Sequence, residues 1–166
     1  MPSTSQTTIS EPQALLGLLE SQLASFLVVM AAELKADLSK RALPEKWSAH
    51  NQLAHLARYH EIFLERMARI LREANPSLTR YRAEEDPDWH KWQELPTAEV
   101  LGQLRVLRAQ LIDQVRRLSG EDFARTGVHP KFGNLTLKQW LEFFLVHEGH
   151  HLYALFQLLR SEPLGN

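Results

Sequence analysis

Two histidines and a glutamate within five residues carry the strongest chemical signal in the chain. Residues 136–160 have large apolar side chains at helical spacing, which predicts an amphipathic helix. On a helical wheel His147 and His151 fall within its apolar stripe, Glu148 falls near the middle, and His150 falls to one side, towards solvent. Because residues four apart are neighbours on a helix, the first two can present their imidazoles to one point. They are either two ligands of a transition metal or two hydrogen-bonded core histidines.

The same five residues spell H-E-x-x-H, the signature of zinc proteases, in which the glutamate is the general base. That class takes its third ligand from downstream. Here the residues after His151 contain no histidine, and their single acid is Glu162. A di-iron carboxylate bundle would need a second E-x-x-H motif, and none is present. Both readings are therefore disfavoured, and a third ligand for this pair must come from upstream.

The composition is that of an ordinary globular domain. The chain has 166 residues, enough for one domain with a sizeable core, and is 44% hydrophobic and 23% charged. Its formal net charge of −1 and the lack of a lysine–arginine run argue against a nucleic-acid partner or a basic membrane patch. The absence of cysteine excludes disulfides, thiolate ligands and a cysteine nucleophile. No signal-peptide pattern or apolar run of membrane length is evident, so a cytoplasmic protein is expected.

Two amphipathic helices are predicted in the first half of the chain. The first spans 11–39, with Ser10 as its N-cap. The second begins after the N-cap Ser48. His55 lies on the flank of its apolar stripe and can face a groove between helices, whereas His50 lies in the first turn and is expected to be exposed.

Two further helices are predicted in the second half. Thr97 is expected to cap the third and Gly120 to end it. Residues 121–135 contain turn-forming pairs, so His129 is interpreted as a turn residue. Thr136 is expected to cap the fourth helix.

The connection over residues 73–96 has no clear helical period, and a connection of this length is usually functional or mobile. Trp89 and Trp92 either pack on the outside of the helices or belong to a substrate lid. Four long amphipathic helices predict an all-α protein, an up-and-down four-helix bundle over 11–160. Residues 1–10 and 161–166 are expected to be flexible tails.

Three short motifs in this order resemble the DinB/YfiT-like family over roughly residues 12 to 160. Trp47-Ser48 is followed by His55-Leu56-Ala57 on the second helix. Gly127-Val128-His129-Pro130, then Gly133 and Leu135-Thr136-Leu137, precede the fourth. The third motif is the H-E-G-H-H run that begins at His147.

The resemblance implies a four-helix bundle that binds one divalent metal ion (zinc, nickel or iron) through His55, His147 and His151. Arg58 stands where many family members carry an acid or a second histidine. The resemblance also implies a homodimer and an enzyme that transfers or activates a low-molecular-weight thiol, as in S-transferases. The alternatives are a metal-dependent hydrolase and a non-enzymatic metal-binding bundle of a stress response.

Three neutral imidazoles would leave the charge of a divalent ion uncompensated and keep a position open for water or substrate. Because the chain has no cysteine, a thiol nucleophile must come from outside as a small-molecule partner, to react with an electrophile. Glu148 is a candidate catalytic residue, which could orient a ligand or shuttle a proton. The alternative is that Glu148 pairs with an arginine or lysine across the bundle.

Overall fold

The computed structural model describes residues 10–41 and 43–160 and is helical over 69% of them. In chain order the elements are α1 (Glu11–Val29), α2 (Ala49–Arg72), α3 (Trp89–Glu94), α4 (Thr97–Arg116), α5 (Gly120–Ala124), β1 (Thr126–His129), β2 (Gly133–Thr136) and α6 (Leu137–Arg160). Short 3₁₀ turns lie at Glu33–Lys35 and Ala83–Glu85. The four long helices, α1, α2, α4 and α6, form the predicted four-helix bundle. The predicted tails lie outside the described residues, apart from Ser10.

The four long helices do not follow one another around the bundle in simple chain order. Both α1 and α2 pack against α4 and α6, so α1 and α2 lie across a diagonal of the bundle. Consecutive helices with short loops are neighbours in a simple up-and-down bundle. Here residues 30–48 and 117–136 form connections long enough to cross the end of the bundle. The arrangement places α2 directly beside α6, the two helices that carry the histidines of the predicted site.

The first helix is shorter than predicted. The apolar pattern suggested a helix over 11–39, but α1 ends at Val29 and is followed by a turn and the 3₁₀ segment Glu33–Lys35. The apolar spacing continues because this segment remains packed on the bundle: Leu38 is buried, and its carbonyl accepts a hydrogen bond of 2.9 Å from the backbone N–H of His50. The apolar residues after Val29 are therefore explained by packing against the bundle and not by a continuing helix.

Two of the predicted helix caps are confirmed and two boundaries are corrected. The Ser48 and Thr136 hydroxyls each accept a hydrogen bond from the backbone N–H three residues on, at 3.1 and 3.2 Å. Thr97 is the first residue of α4 and not its cap; its hydroxyl lies 2.9 Å from a ring nitrogen of His50. Gly120 does not end α4 but begins α5, because the preceding serine caps that short helix.

The prediction that His50 is exposed is wrong. Its side chain is buried, with ring nitrogens 2.9 Å from the Thr97 hydroxyl and 3.0 Å from the Gln93 carbonyl. The segment 73–96, which has no helical period, folds back over the first turn of α2 and covers the ring. Such a cover comes from distant residues and leaves no mark on the local helical pattern.

A β-hairpin, which the turn-forming sequence did not predict, is anchored to the end of α2. Gly127 allows the close approach, because a Cβ there would lie 2.9 Å from Cγ1 of Ile70. The Arg125 guanidinium donates to the carbonyls of Ile70 and Glu73 at 2.8 and 3.0 Å, which satisfies acceptors at the end of the helix. Gly133, at φ +73°, turns the chain between the strands. His129, at the end of β1, is thereby fixed beside α2 and α6.

One helix of the described chain, α1, is long and apolar enough to cross a membrane by length and composition alone. Core helices of soluble proteins meet the same criteria. One face of α1 packs into the bundle through four buried leucines, Leu15, Leu19, Leu23 and Leu27. Its outer face leaves Val28 and Val29 exposed.

Candidate metal centre

The structure brings the three predicted ligands, His55, His147 and His151, together between α2 and α6. The Nε2 atom of His147 lies 3.4 Å from Nε2 of His55 and 3.2 Å from Nε2 of His151. The three potential ligand atoms all lie within 4.8 Å of one another. His150 is exposed and stays outside the cluster, as its position on the helical wheel predicts.

Two of the three spacings between these nitrogens fit a tetrahedral metal ion, and the third is within 4.8 Å. Zinc–imidazole bonds of about 2.0–2.1 Å at tetrahedral angles place the nitrogens about 3.3–3.4 Å apart, close to the distances of 3.2 and 3.4 Å. The Nδ1 atom of His151 lies 2.8 Å from Oε1 of Gln52. With Nδ1–H donating to that amide oxygen, the lone pair of Nε2 faces the cluster, as a metal ligand requires. The residues present therefore fit a divalent ion, and Gln52 orients one of its ligands.

All three imidazoles are held in the neutral form that can bind a metal. Burial is the main cause that lowers their pKa values, and the charge of neighbouring histidines lowers them further. The pKa is lowered to about 2 for His55, about 3 for His147 and about 4 for His151. Protons therefore do not compete with a metal ion for these ligands at neutral pH.

The histidine cluster opens into a cleft of about 800 Å³, called here the histidine cleft. Trp47 forms part of its wall, with its ring centroid 5.0 Å from that of His55 and 6.1 Å from that of His151. Tyr59 lies beside His147 at a centroid distance of 4.0 Å. The other aromatic residues of the wall are Tyr81, Phe132 and Phe143. The site thus combines a set of nitrogen ligands with an apolar wall and an opening.

Glu148 faces a different part of the bundle. It is 1% exposed, and its Oε1 contacts Nη2 of Arg108 on α4 while its Oε2 accepts a hydrogen bond of 2.8 Å from Gln22 on α1. Burial lowers the pKa of Arg108 to about 9, which still leaves the guanidinium charged at neutral pH. The predicted catalytic role of Glu148 stays a prediction. Its contacts favour the alternative expectation, a pair with a cation across the bundle.

Arg58 does not face the histidine cluster. Its guanidinium binds Asp86 with contacts of 2.6 and 3.1 Å, and Glu61 at 2.9 Å. These hydrogen bonds raise the pKa of Arg58 above its usual value. The residue that replaces the acid or histidine of many family members therefore ties segment 73–96 to α2.

Trp89 and Trp92 pack on α2 and do not line the histidine cleft. Both are buried; Trp89 lies behind Trp47 at a centroid distance of 5.3 Å, and Nε1 of Trp92 donates to Glu61 at 3.2 Å. Packing is therefore the correct alternative, and Trp47 forms the wall in their place. Sequence reasoning also missed Gln52, which orients His151. The available signal was its position on α2, about one helical turn before His55.

The fold and this cluster define the class as a four-helix bundle with a three-histidine site at an open cleft. A family model for the DinB superfamily matches residues 9–155. The chain therefore belongs to the DinB superfamily, and the resemblance noted in the sequence is confirmed.

Two relatives and one solved structure are similar to the chain. It is 25% identical over 116 residues to "Putative metal-dependent hydrolase OB0782" of Oceanobacillus iheyensis. This match covers 70% of this chain and 67% of that protein. It is 44% identical over 50 residues to the uncharacterized protein YuaE of Bacillus subtilis; this match covers 30% of the chain and only 31% of YuaE.

The solved structure is that of YfiT from Bacillus subtilis, described as a probable metal-dependent hydrolase with an unusual four-helix bundle topology. The TM-score is 0.74 at 23% sequence identity, over 96% of this chain and 91% of YfiT. At this identity the likeness establishes the fold, and the four-helix bundle is confirmed.

Proposed function

We propose that the protein is a divalent-metal-dependent enzyme that activates a low-molecular-weight thiol for transfer to an electrophile. The observation that carries the proposal is the convergence of three neutral imidazoles at the wall of an open cleft, at 3.2 and 3.4 Å between nitrogens. A closed structural site would have no such cleft beside it. Since the chain contains no cysteine, the thiol must enter from outside.

The residues of the cluster have distinct roles in this scheme. His55, His147 and His151 would hold the ion, with Gln52 fixing the orientation of one imidazole. A bound divalent ion would supply positive charge that favours the thiolate form of a thiol at its open position. The aromatic wall, with Trp47 and Tyr59, would give the apolar parts of the substrates a surface to pack against. In the transfer the thiol would release its proton to bulk water and its sulfur would bond to the electrophilic carbon. The bond between that carbon and the leaving group would break, and the leaving group would take its electron pair.

Hydrolysis is the second candidate, and the similarity to a protein named as a metal-dependent hydrolase favours it. The same three imidazoles and the same cleft suit the activation of water, because a metal-bound water also loses its proton near neutral pH. The difference between the two reactions is therefore the nucleophile, thiol or water. A non-enzymatic metal-binding bundle is the third candidate, and it requires neither a nucleophile nor an electrophile.

A panel of reactions separates these candidates. The protein is loaded with Zn²⁺, Ni²⁺ or Fe²⁺ and offered bacillithiol, mycothiol, glutathione or coenzyme A with a generic electrophile, and ester and amide substrates are offered without thiol. We expect conjugation of a thiol that is lost in His147→Ala and kept in His150→Ala, the matched control on the same helix. Hydrolysis without thiol would replace the proposal with the hydrolase. If no arm of the panel gives a reaction, and the bound metal ion has no open coordination position, the protein is a non-enzymatic metal-binding bundle.

A further inference from the structure

Arg66 is a buried cation without a carboxylate partner in the described part of the chain. It is 8% exposed, and its guanidinium donates to the Tyr59 hydroxyl at 3.0 Å and to the Thr79 carbonyl at 2.8 Å. No acidic group of residues 10–41 and 43–160 forms an ion pair with it. Buried charges are normally paired. The other buried arginine, Arg108, follows that rule through Glu148.

Arg66 lines the histidine cleft, where cations are in excess, and it also lines a neighbouring cleft to which three acids contribute. Arg80, Arg82 and Lys131 also line the histidine cleft, against the single acid Glu84. Of these, Arg82 is paired with a glutamate outside the cleft, whereas Arg80 and Lys131 form no ion pair within the described residues. The whole chain has a net charge of −1. The positive cleft is therefore a local feature and not a reflection of overall composition.

His129 adds a neutral donor to the same wall. Its Nδ1 accepts hydrogen bonds from the backbone N–H groups of Lys131 and Phe132, at 3.0 and 3.1 Å. A neutral imidazole whose Nδ1 is an acceptor carries its proton on Nε2. Burial lowers the pKa of His129, which favours this neutral form. The hairpin turn therefore presents a histidine whose free nitrogen can only donate.

We infer that the histidine cleft binds a substrate carrying an acidic group, a carboxylate or a phosphate, which Arg66 binds together with Arg80, Lys131 and His129. The inference rests on the proposed function only in taking the three-histidine cluster as the end of the cleft where the reacting group lies. The acidic group then supplies the missing partner of the buried guanidinium. Charge-assisted hydrogen bonds of this kind give both affinity and orientation. The acidic group belongs to the thiol or to the electrophile.

Equilibrium binding tests the acidic subsite without any reaction. The metal-loaded protein is titrated calorimetrically with succinate, inorganic phosphate and the neutral analogue succinamide. Because a hydrogen bond to a charged group contributes about 1.5–3 kcal/mol, Arg66→Gln should weaken anion binding roughly ten- to hundredfold. The double variant Arg80→Gln/Lys131→Gln should weaken it by up to about fivefold, as expected for exposed charges. The exposed Arg105 lies outside the cleft, so Arg105→Gln is the matched control and should bind as the parent does.

Folding is controlled by melting temperature and metal content. If Arg66→Gln is too unstable to assay, Arg66→Lys replaces it; this variant keeps the charge and should retain part of the anion affinity. The double variant Arg80→Gln/Lys131→Gln changes only exposed residues and leaves the core intact. The inference is overturned if succinamide binds as well as succinate. It is also overturned if anion binding is lost in His147→Ala but unchanged in Arg66→Gln, since the metal ion alone would then hold the anion.

Two reaction arms identify which substrate carries the acid. In the first, 3-mercaptopropionate is compared with 2-mercaptoethanol against neutral monobromobimane; in the second, 2-mercaptoethanol is offered iodoacetate or iodoacetamide. An advantage of the acidic compound that disappears in Arg66→Gln assigns the acid to that substrate. Anion binding that depends on Arg66 in a protein without turnover would leave the acidic subsite in place and refute the proposed function. Turnover of neutral thiols without anion binding would support the proposed function and refute the acidic subsite.

Discussion

Removing the cation of the buried Arg108–Glu148 pair should destabilise the bundle strongly. Arg108 is 6% exposed and Glu148 is 1% exposed. In Arg108→Met the carboxylate keeps its hydrogen bond of 2.8 Å from Gln22 but loses its counterion. Breaking a buried pair on one side costs about 3–5 kcal/mol, because the remaining charge stays desolvated. That loss is a large part of the stability of about 5–15 kcal/mol typical of a domain.

Urea unfolding followed by circular dichroism, in chelated protein, measures this loss. With a slope of about 2 kcal/mol per molar urea, the midpoint of Arg108→Met should fall by about 1.5–2.5 M. The exposed Arg105 on the same helix provides the control Arg105→Met, which should change the free energy of unfolding by no more than about 0.5 kcal/mol. The double variant Arg108→Met/Glu148→Met should recover much of the loss, since no charge is then buried alone. Equal midpoints for Arg108→Met and Arg105→Met would refute the reasoning.

Three other predictions follow from the site and the surface. After chelation and reloading, His55→Ala should lose most of its bound metal and His150→Ala should keep it, as measured by elemental analysis; equal retention would remove His55 from the site. In chelated protein, stability should fall between pH 7 and pH 5 by about 2 kcal/mol for each buried histidine whose pKa is lowered in the folded state. The reason is that their folded pKa values lie below 6.5, so that protons bind the unfolded chain first and the stability present above pH 6.5 is lost as the pH falls. Urea midpoints at pH 7, 6 and 5 measure this, and a flat profile would contradict it for His55, His60, His147 and His151. Finally, exposed apolar side chains on α1 and α6, among them Val28 and Tyr153, motivate a homodimer of twice 19.1 kDa. Light scattering at micromolar concentration checks its mass, and a monomer would rule it out.

The parts of the site that were predictable from sequence lie on one helix. Helical geometry alone placed His147 and His151 on a shared face and His150 towards solvent, and the structure agrees. His55 is different, because its flanking position left its direction open and only the family resemblance assigned it to the site. Pairing between helices depends on how each is rotated about its axis, which a single helical pattern does not determine.

The unpredicted parts of the site come from segments without a helical period. Segment 73–96 covers His50 and contributes Tyr81 to the cleft wall. Pro76 and Leu78 on that segment form backbone hydrogen bonds of 2.9 and 3.0 Å with Val128 of the hairpin. Such contacts are selected by tertiary packing and not by local propensity, so turn-forming residues alone could not indicate them. The same is true of Arg66, because nothing in the sequence around it distinguishes a buried arginine from an exposed one.

The buried ion pair and the metal centre are linked through the rotation of α6 about its axis. His147 and Glu148 are adjacent and point about 100° apart, towards α2 and α4 respectively. A rotation of about 10° would move atoms at the surface of a helix, about 6 Å from its axis, by about 1 Å. Metal–ligand distances tolerate only about 0.2 Å. Glu148 with Arg108 on one side, and His151 with Gln52 on the other, hold α6 from two directions. Because buried pairs generally add little net stability over apolar packing, we expect the main effect of this pair to be on the helix angle on which convergence of the imidazoles depends.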